Sequence, residues 1–172
     1  MRSIRPIDYH GPRTMLSQND LIFEHATQMD AAVLLELERR VAVSMIYEAR
    51  TNLEDAIREI AENTLYLIRY RGTVIASASC RLLGNGNVYI GNVAVDPAFR
   101  RMGVARAIMD FLLAKTADAP AIELVTHPDN DAALRLYRSL GFSIGETVAD
   151  CFGDGQPRVK MIRTTAQAQF PS

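Results

Sequence analysis

Arginines crowd the stretch "FRRMGVARAIM", residues 99–109, where a helix is expected to begin. Val104, Ile108, Phe111 and Leu112 recur there at helical spacing. A helix N-terminus carries partial positive charge, so Arg100, Arg101 and Arg106 stand at its unfavourable end. A bound anion would resolve the conflict. The first amides of a helix lack internal partners, and with the dipole they form an anion site. Gly103 has no Cβ and Ala105 is nearly as small, so a phosphate could approach the main chain from Arg101 through Met102 to Val104 closely. The competing reading makes the arginines solvated surface charges, since helix-end effects are only about 0.3–1 kcal/mol each. Two familiar phosphate loops are excluded. No Gly-Lys-Ser/Thr follows, and no G-x-G-x-x-G follows the first strand.

The elements around this stretch read as a mixed α/β domain. Residues 1–20 are polar, contain Pro6 and Pro12, and read as an extended or disordered arm. "LIFEHAT", 21–27, is a strand. Thr27 and Asp30 have capping-box spacing, and a helix with Val33, Leu34, Leu37 and Val41 on one face runs to about residue 49. Thr51 and Glu54 form a second box before a helix with Leu53, Ile57 and Ile60 on one face. "LYLIRY" and "TVIASASCRLL" follow as strands. In the second, Val74, Ala76, Ala78, Cys80 and Leu82 alternate with Ile75, Ser77, Ser79 and Arg81, which suits a half-buried strand. "GNGN", 84–87, is hairpin chemistry, and the nearly all-apolar "VYIGNVAV" reads as a central strand. A helix from about Met102 to Ala117, the strand "AIELVT" and a short helix closed by Gly141 come next. Two final strands, 142–152 and 157–164, are joined by "GDGQP". The fold class is therefore α/β (α+β). One mixed, mostly antiparallel sheet is flanked by helices, with a parallel crossover from 88–95 to 121–126. The domain spans 21–164, and 165–172 is a loose polar tail.

Composition narrows the function classes. The 172 residues, 48 % hydrophobic and 23 % charged, suffice for one core. A net charge of −1 gives no basic field for nucleic acid. No apolar run is long enough to span a bilayer, and the N-terminus lacks the apolar region of a secretory signal, so no membrane association and a cytoplasmic location are expected. Cys80 and Cys151 both fall in strand-like stretches without a ligand partner nearby, and read as buried free thiols rather than a zinc site or disulfide. No metal is expected.

The chain resembles the GNAT superfamily, the Gcn5-related N-acetyltransferases. Arg100, Gly103 and Ala105 fill the family's acetyl-CoA motif R/Q-x-x-G-x-G/A. Asn130, Ala133, Tyr137, Gly141 and Phe142 match its N-x-x-A-x-x-x-Y-x-x-x-G-F signature. The resemblance implies a GNAT-like acyl-CoA acyltransferase fold with acetyl-CoA as co-substrate. It implies that the anion is the pyrophosphate of coenzyme A, and that the main chain at Val93, Ala94 and Val95 pairs with the pantetheine arm. Asn130 would contact the cofactor as well as cap its helix.

Acetyl transfer to an amine expels a thiolate with a conjugate pKa of about 8.5, and tyrosine titrates near 10. Tyr137 is therefore the candidate catalytic residue, giving a proton or a hydrogen bond to the sulfur. The competing reading is a core tyrosine whose hydroxyl is satisfied by the backbone. Many relatives carry a basic glutamate where this chain has Gly91 or Val125, so amine deprotonation is unassigned. His127 is a candidate, with a surface loop histidine as the competing reading, and Glu24, Tyr89, Glu123 and Asp150 are the others.

The leading function is acetyl-CoA-dependent N-acetyl transfer by direct attack of a small-molecule amine or a peptide N-terminus. The acceptor is expected against the helices at 29–62 and the final hairpin. The reading admits a homodimer. The alternative is a non-catalytic acyl-CoA-binding sensor or interaction module.

Overall fold

Strands and helices follow one another in the order that the patterning predicts. The computed structural model describes residues 14–42 and 52–165. Its elements are β1 (Ile22–His25), α1 (Ala31–Val41), α2 (Leu53–Glu62), β2 (Thr64–Tyr70), β3 (Thr73–Leu82), β4 (Val88–Val95), α3 (Val104–Lys115), β5 (Ala121–Thr126), α4 (Asp131–Ser139), β6 (Ser143–Val148) and β7 (Arg158–Thr164). The strands form one sheet in the order β1-β2-β3-β4-β5-β7-β6. β4 and β5 run parallel, with Val88, Tyr89 and Ile90 opposite Ile122, Glu123 and Leu124. A parallel pair requires a crossover, and α3 supplies it.

Local chemistry explains most boundaries. Thr27 Oγ1 and its N–H both donate to the Asp30 carboxylate, at 2.9 and 2.8 Å. The box starts a single 3₁₀ turn, Gln28–Asp30, which hands the chain to α1. Asn85 Oδ1 accepts from the Asn87 N–H at 3.0 Å in the hairpin between β3 and β4. Asp96 caps a 3₁₀ turn at Pro97–Phe99 by accepting from the Ala98 N–H at 2.9 Å. Gly141, with φ +88°, closes α4. Its N–H donates to Arg138 C=O and the Phe142 N–H to Tyr137 C=O, each at 3.0 Å, the two bonds of a Schellman motif.

Several expectations need correction. Residues 1–13, 43–51 and 166–172 lie outside the described residues, so the start of the arm, the extension of the first long helix to 49 and the Thr51 cap fall there, as does most of the tail. Asn52 caps α2 instead, accepting from the Asp55 N–H at 2.9 Å. The arm is ordered before 20: Ser17 and Asp20 form a capping box around the turn Gln18–Asp20. β3 is buried on both faces from Val74 to Cys80, because small Ala and Ser side chains let elements pack on either side. Leu82, Val33 and Leu53, assigned to apolar faces, are exposed. Leu35 and Ala56, which the spacing does not place on those faces, are buried. β6 stops at Val148, so Cys151 lies in a loop, half-buried, while Cys80 is buried in β3. α3 begins at Val104, and Met102 precedes it.

The chain divides into two compact units. The first takes the described residues of Met1–Ser79 and Asn92–Phe111, the second those of Cys80–Gly91 and Leu112–Ser172. In the first, Leu34, Leu37 and Val41 of α1 pack with Ala56 and Ile60 of α2 and with Leu65, Leu67 and Val74 of the sheet. On that unit's part of α3, Phe111 stacks on Phe23 of β1, ring centroids 4.2 Å apart, and meets Tyr66 of β2 edge-on at 5.0 Å. In the second, β7 lies between β5 and β6, antiparallel to both. Ile122, Leu124, Val159 and Met161 are buried there.

Candidate active site

The first unit carries Val93, Ala94, Val95 and the run Arg100–Arg106. Asn130 and Tyr137 lie in the second. The ladder from β4 to β5 covers Val88–Ile90. Val93 and Val95, farther along β4, are half-buried, and Ala94 is buried.

The turn from β4 into α3 is bent by two residues of positive φ, Arg101 at +64° and Gly103 at +83°. An L-residue in this region is strained, and glycine is not. Met102 and Val104 are buried, whereas Gly103 and Ala105 beside them are half-buried. The N–H groups at the start of α3 have no intrahelical acceptors. The three arginines are exposed. Arg100 Nε donates to Val95 C=O at 3.2 Å, closing the turn, and Arg106 Nε stands 3.5 Å from Asp110 one turn on. The helix-start amides are held in place by the helix, whereas the arginine side chains are exposed.

Gly103 is also constrained by the chain itself. The side of Gly103 that lacks a Cβ does not face open space. A Cβ built there would stand 2.8 Å from the carbonyl oxygen of Leu16 and 3.0 Å from Met15 Cε. Glycine is required by the chain's own packing and by its φ, before any ligand is considered.

Behind this turn, Arg40 of α1 holds Asp96. Arg40 Nε meets Asp96 Oδ2 at 2.6 Å, its Nη1 meets Glu36 at 3.0 Å, and its Nη2 donates to Val74 C=O at 3.0 Å. Asp96 Oδ1 is the cap of the Pro97–Phe99 turn. One guanidinium thus fixes the carboxylate from which the chain departs toward Arg100. Sequence reading misses Arg40, because no local pattern links it to a residue 56 positions away.

In the second unit, Asn130 Oδ1 accepts from the Ala133 N–H at 3.2 Å and caps α4. Its amide nitrogen is not used in that cap. Tyr137, two turns on, packs its ring toward Phe142, centroids 6.0 Å apart. Its hydroxyl makes no hydrogen bond among the described residues, so the expected backbone partner of a core tyrosine is lacking. Burial, reinforced by neighbouring Tyr89, pushes its pKa up to about 12. The phenol is held firmly protonated.

The candidate bases are all engaged. His127 Nδ1 accepts from the Asp129 N–H at 3.1 Å. An N–H can only donate, so the neutral ring keeps its proton on Nε2 and its lone pair is occupied. Glu123 Oε1 accepts from Asn87 Nδ2 at 2.6 Å and Oε2 pairs with Lys160 Nζ at 2.9 Å. The Lys160 hydrogen bond holds its carboxyl below the usual range despite burial. Glu24 is paired with Arg69 at 2.6 Å, and Asp150 accepts from the Gly155 N–H at 3.0 Å. The Arg81 guanidinium lies over the Tyr89 ring, 5.1 Å from its centroid.

Comparison with known proteins gives one family. The model of the acetyltransferase (GNAT) family matches residues 32–142. The N-alpha-acetyltransferase RimI of Mycobacterium tuberculosis is 34 % identical over 90 residues, covering 49 % of this chain and 56 % of the relative. The chain thus spans about half the length of that curated relative, and 25 % of the uncharacterized Mycobacterium leprae protein ML0378, to which it is 37 % identical over 90 residues. Among solved structures, the acetyltransferase yncA of Salmonella typhimurium, determined with acetyl-CoA, aligns with TM-score 0.70 at 19 % identity. The alignment covers 90 % of this chain and 99 % of that one, which shows the fold.

Proposed function

The chain belongs to the GNAT family of acetyltransferases, and on that premise we propose that it moves an acetyl group from acetyl-CoA to an amine by direct attack. The observation that carries the reading is the Tyr137 hydroxyl, without a hydrogen-bond partner among the described residues and with its pKa pushed up to about 12. Such a group does not surrender its proton to a thiolate of pKa about 8.5. It donates a hydrogen bond that strengthens as negative charge gathers on sulfur, which favours the transition state over the ground state.

The residues present fit acetyl-CoA. The amides of Met102–Ala105 supply donors for a pyrophosphate, with Arg100, Arg101 and Arg106 adding charge at the rim. The main chain of Val93, Ala94 and Val95, past the end of the β4–β5 ladder, would pair with the pantetheine arm. The family signature assigns Asn130 to the cofactor as well, and its amide nitrogen makes no hydrogen bond among the described residues. The cofactor supplies an activated acyl group. The domain proper is assigned to 21–164, acting in the cytoplasm as monomer or homodimer.

The acceptor is an α-amino group, on a peptide N-terminus or a small molecule. An α-amine titrates at about 7.7–8.0, against about 10.4 for a lysine side chain. A usable fraction of it, roughly a tenth at pH 7 and half near pH 8, is neutral without help. With His127, Glu24, Glu123 and Asp150 occupied, an acceptor that loses its own proton suits this chain. The engaged bases also favour a second reading, an acyl-CoA-binding module without turnover. Incubation with acetyl-CoA and a panel of α-amines, with the released thiol measured, separates the two. Amine-dependent release supports the transferase, and tight binding without release supports the module.

A further inference from the structure

Residues ahead of β1 reach the α3 turn. The Leu16 N–H donates to Met102 C=O at 2.7 Å, and Leu16 is 7 % exposed. Its carbonyl oxygen stands 2.8 Å from where a Gly103 Cβ would be. The segment is anchored behind by the Ser17–Asp20 box, in which the Ser17 N–H and hydroxyl both reach the Asp20 carboxylate, at 2.8 and 2.7 Å. Buried Leu21 then leads into β1.

From this contact we infer that Leu16 is a positioning residue for the anion-binding turn. The inference rests on the acetyl-CoA reading above and adds to it a part of the chain that precedes the family match. Met102 C=O and the Gly103 N–H belong to one planar trans peptide, so they point in opposite directions. Gripping the carbonyl from the Leu16 side aims the Gly103 N–H away from Leu16, which on the acetyl-CoA reading is the side the anion takes. That N–H has no partner among the described residues. Arg101 and Gly103 hold positive φ in this turn, a conformation that persists for a non-glycine residue only where the surroundings fix it. The Leu16 contact fixes it on the face opposite the ligand. Leu16 is no catalytic residue, since it acts through Gly103.

Coupling of this kind is reciprocal: if the Leu16 contact favours the ligand, the ligand favours the contact. Hydrogen exchange of the 14–21 segment in the intact protein is therefore expected to slow at the Leu16 amide when acetyl-CoA is added. Leu16→Pro removes the N–H, and Leu16→Ala keeps it while removing buried side chain. Leu16→Pro is expected to weaken acetyl-CoA binding by about three- to ten-fold, the worth of one hydrogen bond. It should raise KM for acetyl-CoA with kcat kept. Leu16→Ala should lower the melting temperature with affinity near that of the parent. If the parent binds acetyl-CoA while Leu16 exchange is unmoved, the inference is overturned and the functional reading stands. A folded Leu16→Pro that binds acetyl-CoA as tightly as the parent overturns it in the same way. A parent that binds no acetyl-CoA overturns both.

Discussion

Asp96 Oδ2 accepts a hydrogen bond from Arg40 Nε at 2.6 Å, tying α1 to the last turn before the α3 loop. The side chains are 21 % and 5 % exposed, so neither charge is well hydrated. Removing one partner strands the other. Arg40→Met is expected to cost about 3 kcal/mol, measured by urea unfolding. Arg40→Met with Asp96→Asn should recover part of that loss, since no buried charge is then left unpaired. A cost in the single variant below that of an exposed pair, under about 1 kcal/mol, would contradict the account.

Glu123 and Lys160 form the comparable pair in the second unit. The folded state lowers the Glu123 pKa, chiefly through its Lys160 hydrogen bond. A lowered carboxylate contributes stability above its unfolded pKa, here 4.5, and loses it as pH falls through the folded value. Thermal melts from neutral pH into acid should therefore show a loss beginning near pH 4.5. Lys160→Met should flatten that step and destabilise the protein at neutral pH.

Gly103→Ala tests the packing of the α3 turn. The new Cβ would adopt positive φ and meet the Leu16 carbonyl. The left-handed region alone costs about 1–2 kcal/mol for an L-residue. Stability is expected to fall by at least that amount in equilibrium unfolding. A neutral substitution would mean that the turn is not held as described.

The pH dependence of transfer follows from the engaged bases. The kcat/KM of an α-amine acceptor should rise through its own pKa, about 7.7–8.0, and then level off. Tyr137 adds no descending limb below about pH 11, because its phenol is pushed to about 12. The raised value also sets a stability window. The folded phenol keeps its proton after the unfolded one loses it at 10.0, so the contribution is complete below pH 10.0 and is lost as pH climbs toward about 12.

Much of the fold is legible in the chain. The succession of elements along the chain, the parallel crossover and the Asn130 and Gly141 caps are legible in it, whereas the place of β7 between β5 and β6 is not. β3 reads as half-buried yet is buried on both faces, because alternation of Ala and Ser with larger side chains does not say what covers each face. Leu53 and Val33 show a similar limit: helical spacing marks a face but not its edge. The contacts of Leu16 with Met102 and of Arg40 with Asp96 join distant positions, and no periodicity reports them. The occupation of His127 Nδ1 depends on the turn after β5, which its residue type does not disclose.

Tyr137→Phe carries the central claim. The variant keeps the ring against Phe142 and removes only the hydroxyl. Single-turnover release of thiol from bound acetyl-CoA, started by adding an α-amine, reads the chemical step alone. The parent should release thiol in an amine-dependent way. Tyr137→Phe should bind acetyl-CoA with nearly unchanged affinity and release thiol about 10²-fold more slowly. Equal rates for the two proteins, or no amine-dependent release from the parent, would contradict the account.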